Sequence, residues 1–173
     1  MAFARIKACK NGRVQAMAEQ INIRAGRSAD WDGLANVFHR AVSEGAGHYT
    51  AEQRAVWSPA SKAGPDWSVR MERQSVMLAE TGQDGPVGFL TCELNGYFDC
   101  AYILKSHQGH GLFSKLYAPL EAEHRARSLK RLHVHASLHA QPAFAAKGFT
   151  IVRPETVKMA TVWMPRFLME KQL

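Results

Sequence analysis

No stretch of this 173-residue chain is apolar for the roughly 18 residues that a membrane-crossing helix needs. Its longest uncharged apolar segments are of strand length, as in residues 86–92. The first twenty residues carry Arg5, Lys7, Lys10 and Arg13 but no apolar block, so no secretory signal peptide is expected. Cysteine is scarce: Cys9, Cys92 and Cys100 form an odd set of three with no Cys-x-x-Cys pair. That count argues against a disulfide scaffold or a cysteine zinc site, and it suits the reducing cytoplasm. Internal repeats and low-complexity tracts are also missing, which removes solenoids and biased tails from consideration.

What is present is the composition of one ordinary domain, with 46% hydrophobic and 21% charged residues. Lys and Arg outnumber Asp and Glu by 22 to 15, for a net charge of +7. The excess is concentrated in residues 1–19 and in residues 105–131. Residues 1–19, broken at Asn11-Gly12, read as a basic leader, either a start placed too early or an extra helix. Residues 20–173 read as the domain proper.

Periodicity predicts a strand over 20–25 and an amphipathic helix to about residue 44. A short helix over 50–57 is capped by Thr50 with Gln53 completing a capping box, and a helical turn follows near 67–73. Strands are expected over 75–80, 87–94 and 97–104, with Asn95-Gly96 as a hairpin signal. A helix over 109–127, a strand over 132–137, a short helix over 141–147 and strands over 151–158 and 162–170 complete the chain. The expected class is α/β, a mixed sheet flanked by helices.

Residues 102–117, Tyr-Ile-Leu-Lys-Ser-His-Gln-Gly-His-Gly-Leu-Phe-Ser-Lys-Leu-Tyr, run from a strand through a glycine turn straight into a basic helix. The first N–H groups of a helix lack internal partners, and the dipole there is positive, so a phosphate group gains donors and charge. On residues alone the turn is either an anion cradle or an ordinary strand-to-helix connection. Two imidazoles share a face at His133 and His135, with His139 following, but no acidic partner is evident and no metal is expected.

This glycine turn resembles the pyrophosphate-binding motif of GNAT N-acetyltransferases, Gln/Arg-x-x-Gly-x-Gly/Ala, with Gln108 and Gly111 at the first two marked positions. Phe113 departs from the small residue at the third, and Lys105 replaces a usual proline. Residues 134–149, ending Gly148-Phe149, resemble the family's following strand and pantetheine-side helix. Phe38-His39-Arg40-Ala41-Val42, then His48-Tyr49-Thr50-Ala51-Glu52-Gln53 and Trp57, and the closing segment 163–171, resemble its YafP-like bacterial branch. The resemblance spans about residues 20–171.

It implies a mostly antiparallel sheet with two splayed parallel strands and acetyl-CoA as cosubstrate. The acceptor it implies is the amine of a small molecule or a protein, and a homodimer is compatible with it. The implied cofactor contacts are Tyr102, Ile103, Gln108, Gly109, His110, Gly111, Leu112, Phe113, Ser114, Ser137 and Phe144. His48, Tyr49, Trp57 and Tyr97 fall where the family shapes its acceptor pocket. Asp99 is the expected base, on one face with Tyr97 and Ala101, and Glu93 is the second choice. Phe144 stands where many relatives carry an acidic tyrosine, leaving Ser137 and Tyr117 as proton donors. Two other readings are a GNAT-like acyl-CoA binder without catalysis and a basic nucleic-acid binder. The helix over 109–127 lacks interleaved aromatics, so neither nucleic acid nor membrane is an expected partner.

Overall fold

The computed structural model describes residues 20–173; the leader expected over residues 1–19 lies outside them. Seven strands form one sheet: β1 (Asn22–Ala25), β2 (Gln74–Thr81), β3 (Gly85–Glu93), β4 (Tyr97–Ile103), β5 (Arg131–Ser137), β6 (Thr150–Met159) and β7 (Val162–Gln172). They lie in the order β1-β2-β3-β4-β5-β7-β6, antiparallel everywhere except between β4 and β5. Five helices flank it: α1 (Trp31–Arg40), α2 (Ala51–Trp57), α3 (Pro65–Glu72), α4 (Leu112–Ala126) and α5 (Gln141–Ala145). The expected mixed, mostly antiparallel sheet is therefore what forms.

Residues 87–92 of β3 are all buried, as a strand must be when helices cover both faces. On one face Phe38 of α1 and Trp67 of α3 meet Phe89 and Tyr102. On the other, Phe98 stacks on Tyr117 of α4 and stands edge-on to Phe144 of α5. Burying those rings fixes the helices against the sheet, each ring contributing about 1.5–3 kcal/mol.

The helix expected to reach residue 44 stops being α-helical at Arg40 and widens into a π-helical turn over Ala41–Gly45. Such turns are frequent beside functional sites. The Thr50 cap forms as expected, with Gln53 N–H donating to Thr50 Oγ1 at 3.2 Å and Thr50 N–H to Gln53 Oε1 at 2.9 Å. Gln53 also donates to the Trp163 carbonyl at 2.7 Å, tying α2 to β7. Gly96 has φ +87°, and a Cβ there would meet the Arg131 carbonyl at 2.6 Å, so the hairpin joint requires glycine.

Candidate functional site

Two register features of β4 create the site. Thr91 of β3 pairs with Cys100 and Cys92 pairs with Phe98, so Asp99 is an extra, bulged residue. The bulge shifts the alternation of side chains. Tyr97, Asp99 and Tyr102 consequently line one cavity, whereas Ala101 and Ile103 line another. The expectation that Asp99 shares a face with Ala101 is thereby corrected.

Secondly, β4 and β5 pair only at Tyr97↔His133 and Phe98↔Val134, and past that point no pairs join them. Leu104 N–H donates to the Val87 carbonyl at 2.9 Å. By the alternation of an antiparallel ladder, Tyr102 then also turns its backbone to β3, while Ala101 and Ile103 turn theirs to the gap. The Ile103 carbonyl accepts from Gln108 Nε2 at 2.9 Å, which leaves the Ala101 N–H and C=O and the Ile103 N–H facing the gap. Tyr102, expected to offer its backbone there, thus turns that backbone to β3 and lines the slot and chamber instead.

Three spaces meet at this gap. A groove of about 380 Å³ is lined by Ala101, Ile103, Gln108, Gly109, Gly111, Leu112, Phe113 and His139. A slot of about 60 Å³ between the diverging strands is walled by Ala101, Val134, Ala136, Ala140 and Phe144. A chamber of about 250 Å³ is lined by Phe38, Tyr49, Trp57, Tyr97, Tyr102, Met159 and Met164 among others. Ala101 and Ala140 belong to both groove and slot; Trp57, Asp99, Tyr102, His135 and Ser137 belong to both slot and chamber. The three spaces therefore adjoin one another, sharing these wall residues.

At the groove end, Gly109 and Gly111 have φ +80° and +72°, and a Cβ on either would meet nothing within 4 Å. The glycines are set by backbone conformation, and the space before them is open. Among the described residues the N–H groups of residues 109–113 have no hydrogen-bond partner, whereas Ser114 N–H is taken by the Gly111 carbonyl at 3.1 Å. The loop thus fits an anion held on backbone donors at a helix start. His110 and Ser114 do not line the groove. Phe113 stacks on Tyr117 and stands edge-on to Phe144, so its bulk is absorbed in the core.

At the chamber end two of the cations, Arg70 and Arg166, are paired with carboxylates. Arg70 grips Asp99 through Nε–Oδ2 at 2.7 Å and Nη2–Oδ1 at 2.6 Å, and Gln74 Nε2 adds a 2.7 Å bond. Burial works to raise the Asp99 pKa, but the Arg70 and Gln74 bonds outweigh it and hold the carboxyl below its ordinary range. Asp99 is where a base was expected, yet it is more acidic than a free Asp.

His135 reaches Glu155 of β6 at 3.4 Å, and Glu155 is itself bound by Arg153 at 2.8 Å and Arg166 at 2.9 Å. Its Nδ1 lies 3.4 Å from the Tyr97 hydroxyl. Burial and the nearby Arg166 push the His135 pKa down, keeping the imidazole neutral at pH 7. Arg70, Lys62, His135 and Glu155 were not singled out as site residues from sequence. The two histidines of β5 were visible, but Glu155 is twenty residues away and only strand pairing delivers it.

The other expected residues separate. Tyr49 is buried, donating to the Pro165 carbonyl at 2.7 Å and accepting from Leu138 N–H at 2.9 Å; it walls the chamber and locks its roof. Ser137 Oγ accepts from Ala140 N–H at 3.1 Å, beside the slot. His48 does not line the chamber; it is exposed with its ring 5.5 Å from His139. Glu93 lies outside these three spaces, bound by Asn95 Nδ2 at 3.0 Å, and cannot reach a group in the slot. The Tyr117 hydroxyl faces Lys171 Nζ at 3.3 Å behind the aromatic core, so it is no donor to these spaces. Of the basic segment, Arg125, Arg127 and Arg131 are paired with Glu121, Glu123 and Glu170, which removes much of the patch a nucleic acid would need.

Comparison with known proteins converges on one group. The family model "Acetyltransferase (GNAT) domain" matches residues 46–173. The chain is 29% identical over 150 residues to a protein of Escherichia coli (strain K12) bearing the name "Uncharacterized N-acetyltransferase YafP", covering 86% of this chain and 94% of that one. A GCN5-related N-acetyltransferase crystal structure from Rhodopseudomonas palustris superposes with a TM-score of 0.80 at 26% identity, covering 91% of this chain and 99% of the other. The fold also matches yncA of Salmonella typhimurium, a putative acetyltransferase solved with acetyl-CoA, with a TM-score of 0.61 at 19% identity over 89% and 94% of the two chains.

Proposed function

The chain belongs to the GNAT acetyltransferase family, and from that premise we propose that it moves an acetyl group from acetyl-CoA directly to the amine of a small-molecule acceptor. The observation that carries this reading is the succession of adjoining spaces from anion cradle, past the gap between β4 and β5, to an aromatic chamber. Acetyl-CoA supplies the acyl group already activated as a thioester.

The chain's own residues then have separable tasks. The N–H groups of residues 109–113 hold the pyrophosphate, with Lys105 and Lys115 adding charge. The Ala101 and Ile103 backbone groups bind the pantetheine arm and polarise the thioester carbonyl from the slot. The chamber presents the amine to the slot, converting a bimolecular encounter into a local one. We assign the proton-accepting role to His135, which is neutral, lines both slot and chamber, and is oriented by Glu155. Asp99 fixes Arg70 at the chamber wall instead. The Ser137 hydroxyl, which borders both slot and chamber, is the proton donor to the leaving sulfur. A chamber of about 250 Å³ favours a small amine over a protein segment. A cytoplasmic location accords with the free thiols Cys92 and Cys100.

The test is calorimetric titration with acetyl-CoA together with release of free thiol over a panel of amines. Saturable binding with acceptor-dependent thiol release is the expected result. Binding without release for any amine would leave the non-catalytic reading. In Gly111→Ala, where only strain and the ligand resist the new Cβ, the acetyl-CoA dissociation constant should rise at least tenfold, about 1.4 kcal/mol.

A further inference from the structure

The chamber carries more positive charge than its own carboxylates can neutralise. Lys62, Arg70 and Arg166 all line it. Arg70 is committed to Asp99 in a two-point bond, and Arg166 to Glu155 at 2.9 Å. Lys62 has no carboxylate within ion-pair distance among the described residues. Its ammonium stands 4.7 Å from the centroid of the Phe38 ring, over an aromatic wall that Tyr49, Trp57, Tyr97 and Tyr102 continue. Desolvation and the neighbouring Arg70 push the Lys62 pKa down, against a smaller opposing pull from Asp99, whose carboxyl is already bonded to Arg70.

Building on the transferase reading above, we propose that the acceptor is an aromatic or apolar amine that also bears an anionic group, a carboxylate in the simplest case, and that Lys62 binds that anion. The reacting amine must point to the slot, past His135 and Ser137, so the anion occupies the opposite part of the chamber where Lys62 and Phe38 meet. A polyamine is the wrong partner: its further ammonium groups would face Lys62, Arg70 and Arg166 with no free carboxylate to receive them. A neutral arylamine would fill the aromatic walls but gain nothing from Lys62, which stands exposed at the chamber's edge.

The anion site can be read without the transfer reaction. The full chain is titrated calorimetrically with phenylacetate and with phenylacetamide, which share a ring and differ in charge. Phenylacetate should bind at least tenfold tighter, and in Lys62→Met, checked for an unchanged melting temperature, that preference should fall to within twofold. Equal binding of the two probes, or a preference that survives Lys62→Met, would overturn the proposal. In parallel, thiol release from acetyl-CoA is compared for phenylalanine and phenylethylamine, and the carboxylated amine should have the higher kcat/KM. Turnover of both at equal kcat/KM would sink the anion site and leave the transferase reading standing. Charge-selective binding through Lys62 with no acetyl-CoA binding would do the reverse.

Discussion

Arg70 and Asp99 decide what the chamber can do. Their bond lowers the Asp99 pKa, so it stabilises the fold at pH values above the ordinary carboxylate range and is lost as pH falls through the lowered value. Arg70→Met should therefore cost about 1–2 kcal/mol near pH 7, read from denaturant unfolding, and the deficit should close on acidification. His135 responds to acid in the same direction. Its pKa is depressed below that of an ordinary histidine, so kcat/KM should hold at neutral pH and fall only as pH drops through that depressed value. His135→Gln should lower kcat on the order of a hundredfold and abolish that acid limb, while Asp99→Asn keeps it. Were Asp99→Asn to remove the limb instead, the base would be Asp99 after all. The sequence made Asp99 conspicuous as a carboxylate on the right strand. It hid Arg70, whose guanidinium arrives from α3, and so it hid the reason that Asp99 is a weak base.

At the scale of elements, local signals were the legible ones. The Thr50–Gln53 capping box, the Asn95-Gly96 joint and the glycine turn ahead of α4 each form where their spacing implies, because their partners lie within a few residues. The bulge at Asp99 and the separation of β4 from β5 were not derivable from alternation, since both arise from pairing between distant strands. The same holds for His124, which looks like one more charge on a basic helix. It is fully buried, with Nε2 at 2.8 Å from the Glu93 carbonyl and Nδ1 at 2.8 Å from that of Leu120. It pins α4 to the end of β3. His124→Leu should destabilise the fold by about 2 kcal/mol through the carbonyl it abandons, seen as a lower denaturation midpoint. Because the glycine turn is at the other end of α4, acetyl-CoA affinity should change little in the same variant.

Across the whole molecule, the sheet is both scaffold and partition, with the groove proposed for the donor and the chamber proposed for the acceptor adjoining the slot where β4 and β5 diverge. The slot's small volume and its walls of Ala101, Ala136, Ala140, Val134 and Phe144 set a width as well as a route. Width becomes a ruler for the donor. An acetyl group passes between small side chains, but each added methylene must displace atoms of a packed sheet, at about 1–3 kcal/mol. Propionyl-CoA should thus be a poor donor and butyryl-CoA a poorer one, with kcat falling at each step in a series of acyl thioesters while dissociation constants stay close, since all share the same nucleotide and pantetheine. Replacing Val134 with alanine should lengthen the acyl chain that is accepted, turning the spacing of two strands into a property of the product.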